Sequence, residues 1–112
     1  MFSVEHGKAC IKIVACICAR DGVISSAEEN VIFSSIAEKF PDIDEDIFES
    51  VLNEFFESNE QIEDYLREVT DGELREFTLY LAELSASADG LDPRENIALK
   101  KARLIWSGSQ NA

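Results

Sequence analysis

The segment ARDGVISSAEENVI, residues 19–32, decides the fold that the sequence predicts. It follows an apolar run, and its Asp-Gly pair is typical of a chain that ends one helix and turns into the next. Ser25 and Glu28 have the S-x-x-E spacing of a capping box, in which the hydroxyl and the carboxylate each accept a hydrogen bond from a free backbone amide. The segment therefore predicts a helix, a short loop and a capped helix.

A similar segment, SADGLDPRENIALK, occupies residues 87–100. It again has a small residue, Asp-Gly, an aliphatic residue, a capping residue and then an acidic residue before an apolar run. Asp92 is placed as an N-cap, Pro93 as the first helical residue and Glu95 as the reciprocal cap. The two segments predict a pseudo-repeat of helix, Asp-Gly loop and capped helix.

Apolar periodicity predicts about six helices, and no strand competes with them. We expect a single-domain, all-α bundle over residues 1–107, followed by a flexible tail at 108–112. The first helix is apolar on most sides, so we expect it at the centre of the bundle. The third helix has two possible starts, at Asp42 or Asp44, and Ser58 to Gln61 predict the cap of the fourth. The predicted helices span about 4–20, 25–40, 42–57, 59–69, 73–88 and 93–107.

Helical spacing also predicts which side chains are buried. In the third helix, Phe48, Phe55 and Phe56 are predicted in the core, with an exposed aromatic anchor as the alternative. The other predicted buried positions are Ile32, Ile36 and Phe40 in the second helix, Ile62, Tyr65, Leu66 and Val69 in the fourth, and Leu74, Phe77, Leu81 and Leu84 in the fifth.

The charge of the chain limits its partners. The 112 residues include 23 acidic and 10 basic ones, giving a formal net charge of −13. This charge repels nucleic acid and anionic membranes, so we expect neither as a direct partner. It suits a basic protein partner, a divalent cation or simple solubility, and composition does not choose among these. The many acidic residues between Asp42 and Asp71 indicate either a solvated face or a docking surface.

The cysteines and the apolar runs predict a location. Cys10, Cys16 and Cys18 all lie in the first helix, which excludes a disulfide framework and favours small buried hydrophobic side chains. No run reaches the roughly 18 apolar residues of a membrane-spanning helix. We therefore expect a cytoplasmic protein that does not insert into membranes.

The two repeated segments carry a family resemblance. CARDGVISSAE at residues 18–28, followed by Ile32, and ADGLDPRE at residues 88–95 resemble the paired signature of the TerB-like domain of tellurite-resistance and related proteins. The resemblance spans nearly the whole chain. It implies a cytoplasmic all-α bundle without enzymatic activity, connected with stress responses.

The same resemblance implies a candidate site for a divalent cation such as calcium, with acidic ligands from both segments. The second segment departs from the first, because Glu95 follows Asp89 by six residues whereas Glu28 follows Asp21 by seven. The implied ligands are Asp21, Glu28 and Asp89 with Asp92 and Glu95, and Glu29 is a further candidate.

The residues themselves permit a simpler interpretation of these acids. Neither Asp-Gly segment has the alternating oxygen ligands of an EF-hand loop. Turns formed by Asp-Gly, with Glu28 and Glu95 as caps, account for each of these residues without a metal. His6 has no nucleophile at a recognisable spacing and no phosphate-binding loop is present, so we expect no enzyme.

Two hypotheses of function follow. In the first, the chain is a TerB-like interaction module of a stress or tellurite-resistance response, with a candidate cation site in the acidic Asp-Gly loops. In the second, it is a small acidic immunity or inhibitor protein that binds and neutralises a toxin or another basic protein. The sequence identifies neither the partner nor the oligomeric state.

Overall fold

The computed structural model describes residues 3–19, 24–88 and 93–108. Of these residues 81% are helical and none lies in a strand, which confirms the all-α prediction. The Cα radius of gyration of 12.9 Å is about that of a single folded unit of this length. The six helices of this part of the chain are α1 (Val4–Cys18), α2 (Ser26–Lys39), α3 (Glu45–Glu57), α4 (Ile62–Arg67), α5 (Gly72–Ser87) and α6 (Pro93–Gly108).

Side-chain caps begin most of these helices. The predicted capping box of α2 is confirmed: the amide of Ser25 donates to Glu28 Oε1 at 3.0 Å, and the amide of Glu28 donates to Ser25 Oγ at 3.1 Å. Asp44 caps α3, accepting from the amide of Ile47 at 2.9 Å. Asp71 accepts from the first-turn amides of α5 in the same way. These bonds satisfy amides that have no partner within their own helix.

The start of α4 differs from the prediction. Ser58 does not cap it, because its hydroxyl accepts from the amide of Glu60 at 3.1 Å in a local turn. The helix begins three residues later, after Gln61, whose amide donates to Asp64 Oδ2 at 3.0 Å. As a consequence α4 has only six residues and is shorter than its predicted span.

The prediction that α1 is central is confirmed. It packs against α2, α3, α4, α5 and α6, and its side chains from Cys10 to Cys18 are buried except for Lys12. Near its start, a Cβ on Gly7 would lie 2.5 Å from Ile43 Cδ1 and 3.0 Å from Phe40 Cγ. Glycine therefore lets the connection between α2 and α3 cross α1 at a distance that no other residue permits without rearrangement.

The other helices surround α1. On one side α5 lies between α2 and α6. On the other, α3 is held by α1 and by aromatic contacts, with ring centroids 5.2 Å apart for Phe33 and Phe48 and 5.9 Å apart for Phe55 and Tyr65. The short α4 packs between α1 and α6. This arrangement leaves the outer sides of α3, α5 and α6 facing solvent.

Hydrogen bonds attach α6 to the chain around α4. Trp106 Nε1 donates to the carbonyl of Leu66 at 3.1 Å. The guanidinium of Arg75 lies 5.4 Å from the centroid of the Trp106 ring, and its Nε donates to the carbonyl of Val69 at 2.8 Å. One indole therefore connects the end of α4, the start of α5 and the end of α6.

Most predictions of burial are confirmed, including the three cysteines and the buried residues of α2 and α4. Two are wrong. Phe56 is 49% exposed and Leu84 is 41% exposed. Both side chains lie on a side of their helix that faces away from α1 and that no described helix covers. Apolar character alone therefore does not bury them.

Candidate functional site

The predicted cation ligands lie in two segments of the chain, and Glu28 is the one whose side chain the structure describes. It is 4% exposed, and its carboxylate accepts the hydrogen bond from the Ser25 amide. The role visible for Glu28 is therefore the capping of α2. Asp21, Asp89 and Asp92 lie outside the described residues, as does the side chain of Glu95 in the first turn of α6.

Among the described residues, no group of three or more His, Cys, Asp or Glu side chains is placed to hold a metal ion. Glu29, the further candidate, is half-buried in the first turn of α2. The cation site therefore stays a prediction, because most of its ligands belong to the segments 20–23 and 89–92, which lie outside the described residues.

The helix ends that flank those two segments lie at the same end of the bundle. Lys39 Nζ lies 3.2 Å from Glu73 Oε2, which joins the end of α2 to the start of α5, so these helices are antiparallel. The contact of Gly7 with Phe40 likewise places the start of α1 beside the end of α2. The end of α1, the start of α2 and the end of α5 consequently share one end of the molecule.

A second feature is a high density of acidic side chains on and around α3. The chain has ten acidic residues and no Lys or Arg between Lys39 and Arg67. Eight of them are exposed and two are half-buried. The ten residues are Asp42, Asp44, Glu45, Asp46, Glu49, Glu54, Glu57, Glu60, Glu63 and Asp64.

The exposed side of α3 combines this charge with an aromatic ring. Phe56 follows Glu49 by seven residues, or two helical turns, so the two side chains lie on the same side of the helix. Glu45 and Glu57 extend this exposed surface along α3. Phe56 keeps half its surface exposed while its ring contacts Phe55, with centroids 5.2 Å apart. We call Glu45, Glu49, Phe56 and Glu57 the acidic face.

Lysines from α1 and α6 pair with two of these carboxylates. Lys12 Nζ lies 3.6 Å from Glu54 Oε1, and Lys101 Nζ lies 3.0 Å from Glu63 Oε2. The hydrogen bond with Lys101 lowers the pKa of Glu63, and the hydrogen bond with the Gln61 backbone lowers the pKa of Asp64. Both carboxylates stay ionised at neutral pH, so the region keeps its negative charge.

A third feature is a set of large apolar side chains that are exposed on α5 and α6. Tyr80 and Leu84 on α5 are 64% and 41% exposed, and Ile97 and Leu104 on α6 are 66% and 72% exposed. We call these four residues the α5–α6 face. Sequence reasoning missed this surface, although the spacing of seven between Ile97 and Leu104, opposite the small residues of α6, signals a shared outer side.

A groove of about 430 Å³ lies beside this face, between α2 and α5. Phe77, Tyr80 and Leu84 form its α5 wall, and Ser35, Glu38 and Lys39 form its α2 wall. Lys39 Nζ lies 5.1 Å from the centroid of the Phe77 ring and also bonds Glu73, so its charge is already engaged at the end of the groove.

The thiol of the buried Cys10 has a perturbed pKa. Burial raises the pKa of its thiol, and this outweighs the opposing effects of the Thr78 hydrogen bond and the charge of Lys39. The Thr78 hydroxyl lies 3.1 Å from Cys10 Sγ and 2.6 Å from the carbonyl oxygen of Leu74. A protonated thiol inside the core is a packing group rather than a nucleophile.

Among the described residues, no helix is long and apolar enough to cross a bilayer. Comparisons with models of known protein families, with curated proteins and with solved structures gave no significant match.

Proposed function

We propose that this chain is a non-enzymatic interaction module that binds a basic partner protein through the acidic face. The observation that carries the proposal is the half-exposed Phe56 ring among the carboxylates of Glu45, Glu49 and Glu57. The ten acidic residues around it attract a basic partner over several ångströms. The ring then supplies the apolar contact that fixes the partner in place.

The two parts of the face contribute differently to binding. Carboxylates at the rim raise the rate of encounter and favour partners of the opposite charge, but each contributes little affinity on its own. A buried aromatic anchor typically contributes more, because it loses its contact with water on binding. A partner with basic residues beside an apolar pocket or ridge fits this arrangement.

The cellular setting that we propose is a TerB-like stress or tellurite-resistance response in the cytoplasm. Its support is the repeated Asp-Gly signature of the sequence together with an all-α bundle. The three thiols buried on α1 agree with a reducing compartment.

Calorimetric titration tests the acidic face. The probe is a synthetic amphipathic helical peptide that has lysines on one side and leucines on the other. We expect the Phe56→Ala variant to bind this peptide at least several-fold more weakly, since it loses the anchor. We expect the double variant Glu49→Gln, Glu57→Gln to bind more weakly as well.

The matched control is the double variant Glu38→Gln, Glu68→Gln. It removes the same charge from exposed positions outside the acidic face, so any effect of net charge is equal. If both double variants lose affinity equally and Phe56→Ala has no effect, the peptide is attracted by the overall charge of the protein. The proposed binding face is then wrong.

The proposed cation site is tested separately by thermal unfolding with and without calcium. A cation that binds only the folded state raises Tm, and the rise keeps growing with the logarithm of its concentration above Kd. The proposal predicts a rise that is lost in Asp21→Asn and in Glu28→Gln. Since glutamine still serves as the reciprocal cap, Glu28→Gln should leave Tm without calcium nearly unchanged. The cation part is wrong if calcium produces neither heat in calorimetry nor a change in Tm.

An immunity or inhibitor protein is the second candidate, and the density of carboxylates around Phe56 favours it. Neutralising a basic toxin requires fast capture, which a face of this charge provides. Co-expression with the toxin encoded beside its gene is the test. Protection of the cells that is lost in Phe56→Ala supports this candidate, and a toxin that kills despite the wild-type chain rejects it.

A further inference from the structure

Four of the five large apolar side chains that are exposed in the described chain lie on the neighbouring helices α5 and α6. They are the members of the α5–α6 face, and the fifth, Phe56, lies on α3. Scattered apolar residues on a surface need no explanation, but several on one pair of helices indicate a contact.

The helix geometry makes this face a pair of apolar ridges. Ile97 and Leu104 are seven residues apart and therefore lie on the same side of α6, away from the buried Ala98 and Ala102. Lys100 lies between them along the helix and is exposed. The result is an apolar ridge with a basic flank.

The ridge on α5 has the opposite charge beside it. Tyr80 and Leu84 are one turn apart, and Glu76 and Glu83 are exposed next to them. Arg103 of α6 reaches across the seam to Glu83 with Nη2 to Oε2 at 2.6 Å. The face therefore runs from an apolar ridge with acidic neighbours on α5 to an apolar ridge with basic neighbours on α6.

The charge of these helices differs from that of the remaining chain. By sequence, α5 carries one Arg and three Glu, for −2, and α6 carries four basic residues and one Glu, for +3. The two helices together contribute +1. Because the net charge of the whole chain is −13, the remaining residues carry −14. Two copies of this protein therefore repel each other less when they meet at α5 and α6 than when they meet at α3.

We propose that the α5–α6 face binds a second copy of this chain about a two-fold axis, to form a four-helix interface. A two-fold axis that runs along the seam between the two helices places α5 of one copy opposite α6 of the other. The acidic flank of each α5 then meets the basic flank of the partner's α6, while the apolar ridges lose contact with water. A purely basic or purely acidic partner matches only one of the two helices. The contact is distinct from the acidic face on α3, which stays exposed in the dimer.

Sedimentation equilibrium of the full chain, from micromolar to submillimolar concentration, tests the proposal. We expect a mass twice the 12.5 kDa of one chain. The double variant Ile97→Glu, Leu104→Glu should sediment as a monomer, since each dimer then buries four added carboxylates at its centre. These positions are exposed, so the circular dichroism spectrum should keep its helical form. Phe56→Glu is the matched control and should remain dimeric.

A charge exchange tests the orientation of the two copies. Glu76→Lys reverses the charge beside the α5 ridge and Lys100→Glu reverses the charge beside the α6 ridge. Each variant alone therefore places like charges opposite each other in the two-fold pairing and should dissociate at concentrations where the wild type is dimeric. An equimolar mixture of the two should recover a dimer with one copy of each. A monomeric wild type, or a dimer that Phe56→Glu breaks and Ile97→Glu, Leu104→Glu does not, overturns the proposal. Variants that dissociate alone and do not associate when mixed reject the two-fold pairing.

Discussion

Gly7 lies where the connection between α2 and α3 crosses the start of α1. A methyl group there would enter the space of Ile43 and Phe40. Overpacking of this kind typically exceeds the gain in helix propensity, so we expect Gly7→Ala to lower the free energy of unfolding by about 1 to 2 kcal/mol. Urea unfolding followed by circular dichroism measures this loss.

Gly72 provides the control for that variant. It is the first residue of α5, and a Cβ there would meet nothing within 4 Å. Gly72→Ala should leave the stability unchanged or raise it by up to about 1 kcal/mol, because alanine restricts the unfolded chain. Equal losses in the two variants would mean that the close packing at Gly7 is not the cause.

The thiol of Cys10 gives the core a dependence on pH. Burial raises its pKa above the ordinary value of 9.0, so in alkaline solution the unfolded chain releases this proton before the folded one does. The corresponding stability is complete below pH 9.0 and is lost as the pH rises through the folded pKa. We expect the unfolding free energy of the wild type to fall more steeply above this pH than that of Cys10→Ala. Parallel curves for the two proteins would show that the thiol does not contribute.

At the scale of the element, α4 depends on its surroundings. Six residues are too few for an isolated helix, and the indole of Trp106 holds the end of α4 through the carbonyl of Leu66. Trp106→Phe removes the indole donor, so the Leu66 carbonyl keeps the Val69 amide at 3.3 Å, and the variant also leaves a space beside Arg75. We expect a loss of about 2 to 3 kcal/mol, and faster amide exchange in α4 than in α1.

Tyr80→Phe is the comparison for the indole variant. It also removes a polar group from an aromatic ring, but Tyr80 is largely exposed. Its effect on stability should stay within about 0.5 kcal/mol, as for most surface substitutions. If the two variants lose similar free energies of unfolding, the hydrogen bond of Trp106 does not stabilise the fold in the way proposed.

The elements that the sequence predicted well are those whose signals are local. The box of Ser25 and Glu28 and the start of α6 at Pro93 depend on residues within one turn, and both are found. Of the two starts that the sequence allows for the third helix, the structure has the one at Asp44. The cap at Ser58 was predicted wrongly because a hydroxyl can close a local turn as easily as it can begin a helix.

The exposed apolar residues could not be predicted in the same way. Periodicity identifies the side of α5 that carries Leu84, but which neighbour covers that side depends on the packing of helices distant in sequence. The proposed cation site has the same difficulty, since it requires two segments about seventy residues apart to meet. For Glu28 the local signal was sufficient, and capping is the role that the structure shows.

At the scale of the whole molecule, the acidic surface opposes the compact state. The ten carboxylates around α3 repel each other over a Debye length, which shrinks from about 30 Å at 0.01 M salt to about 8 Å at 0.15 M. We expect added sodium chloride to raise Tm, and Glu49→Lys to raise Tm more at low salt than at high salt. Differential scanning calorimetry at several salt concentrations measures both effects.

Glu83→Lys changes the net charge equally and should act in the opposite direction. It removes the ion pair with Arg103 and places two cations side by side. A rise in Tm for both reversals would indicate that total charge, rather than its position around α3, determines the stability.

The central position of α1 also determines when the chain can fold. A ribosome synthesises this apolar helix before its main partner, because Cys10 packs against Thr78, 68 residues later in the chain. Contacts of such separation form late, since the intervening segment must first be brought together. Until α5 leaves the ribosome, α1 has no complete set of neighbours and presents its cysteines and isoleucines to the solvent. The nascent chain is therefore a natural client for chaperones that bind apolar helices during translation.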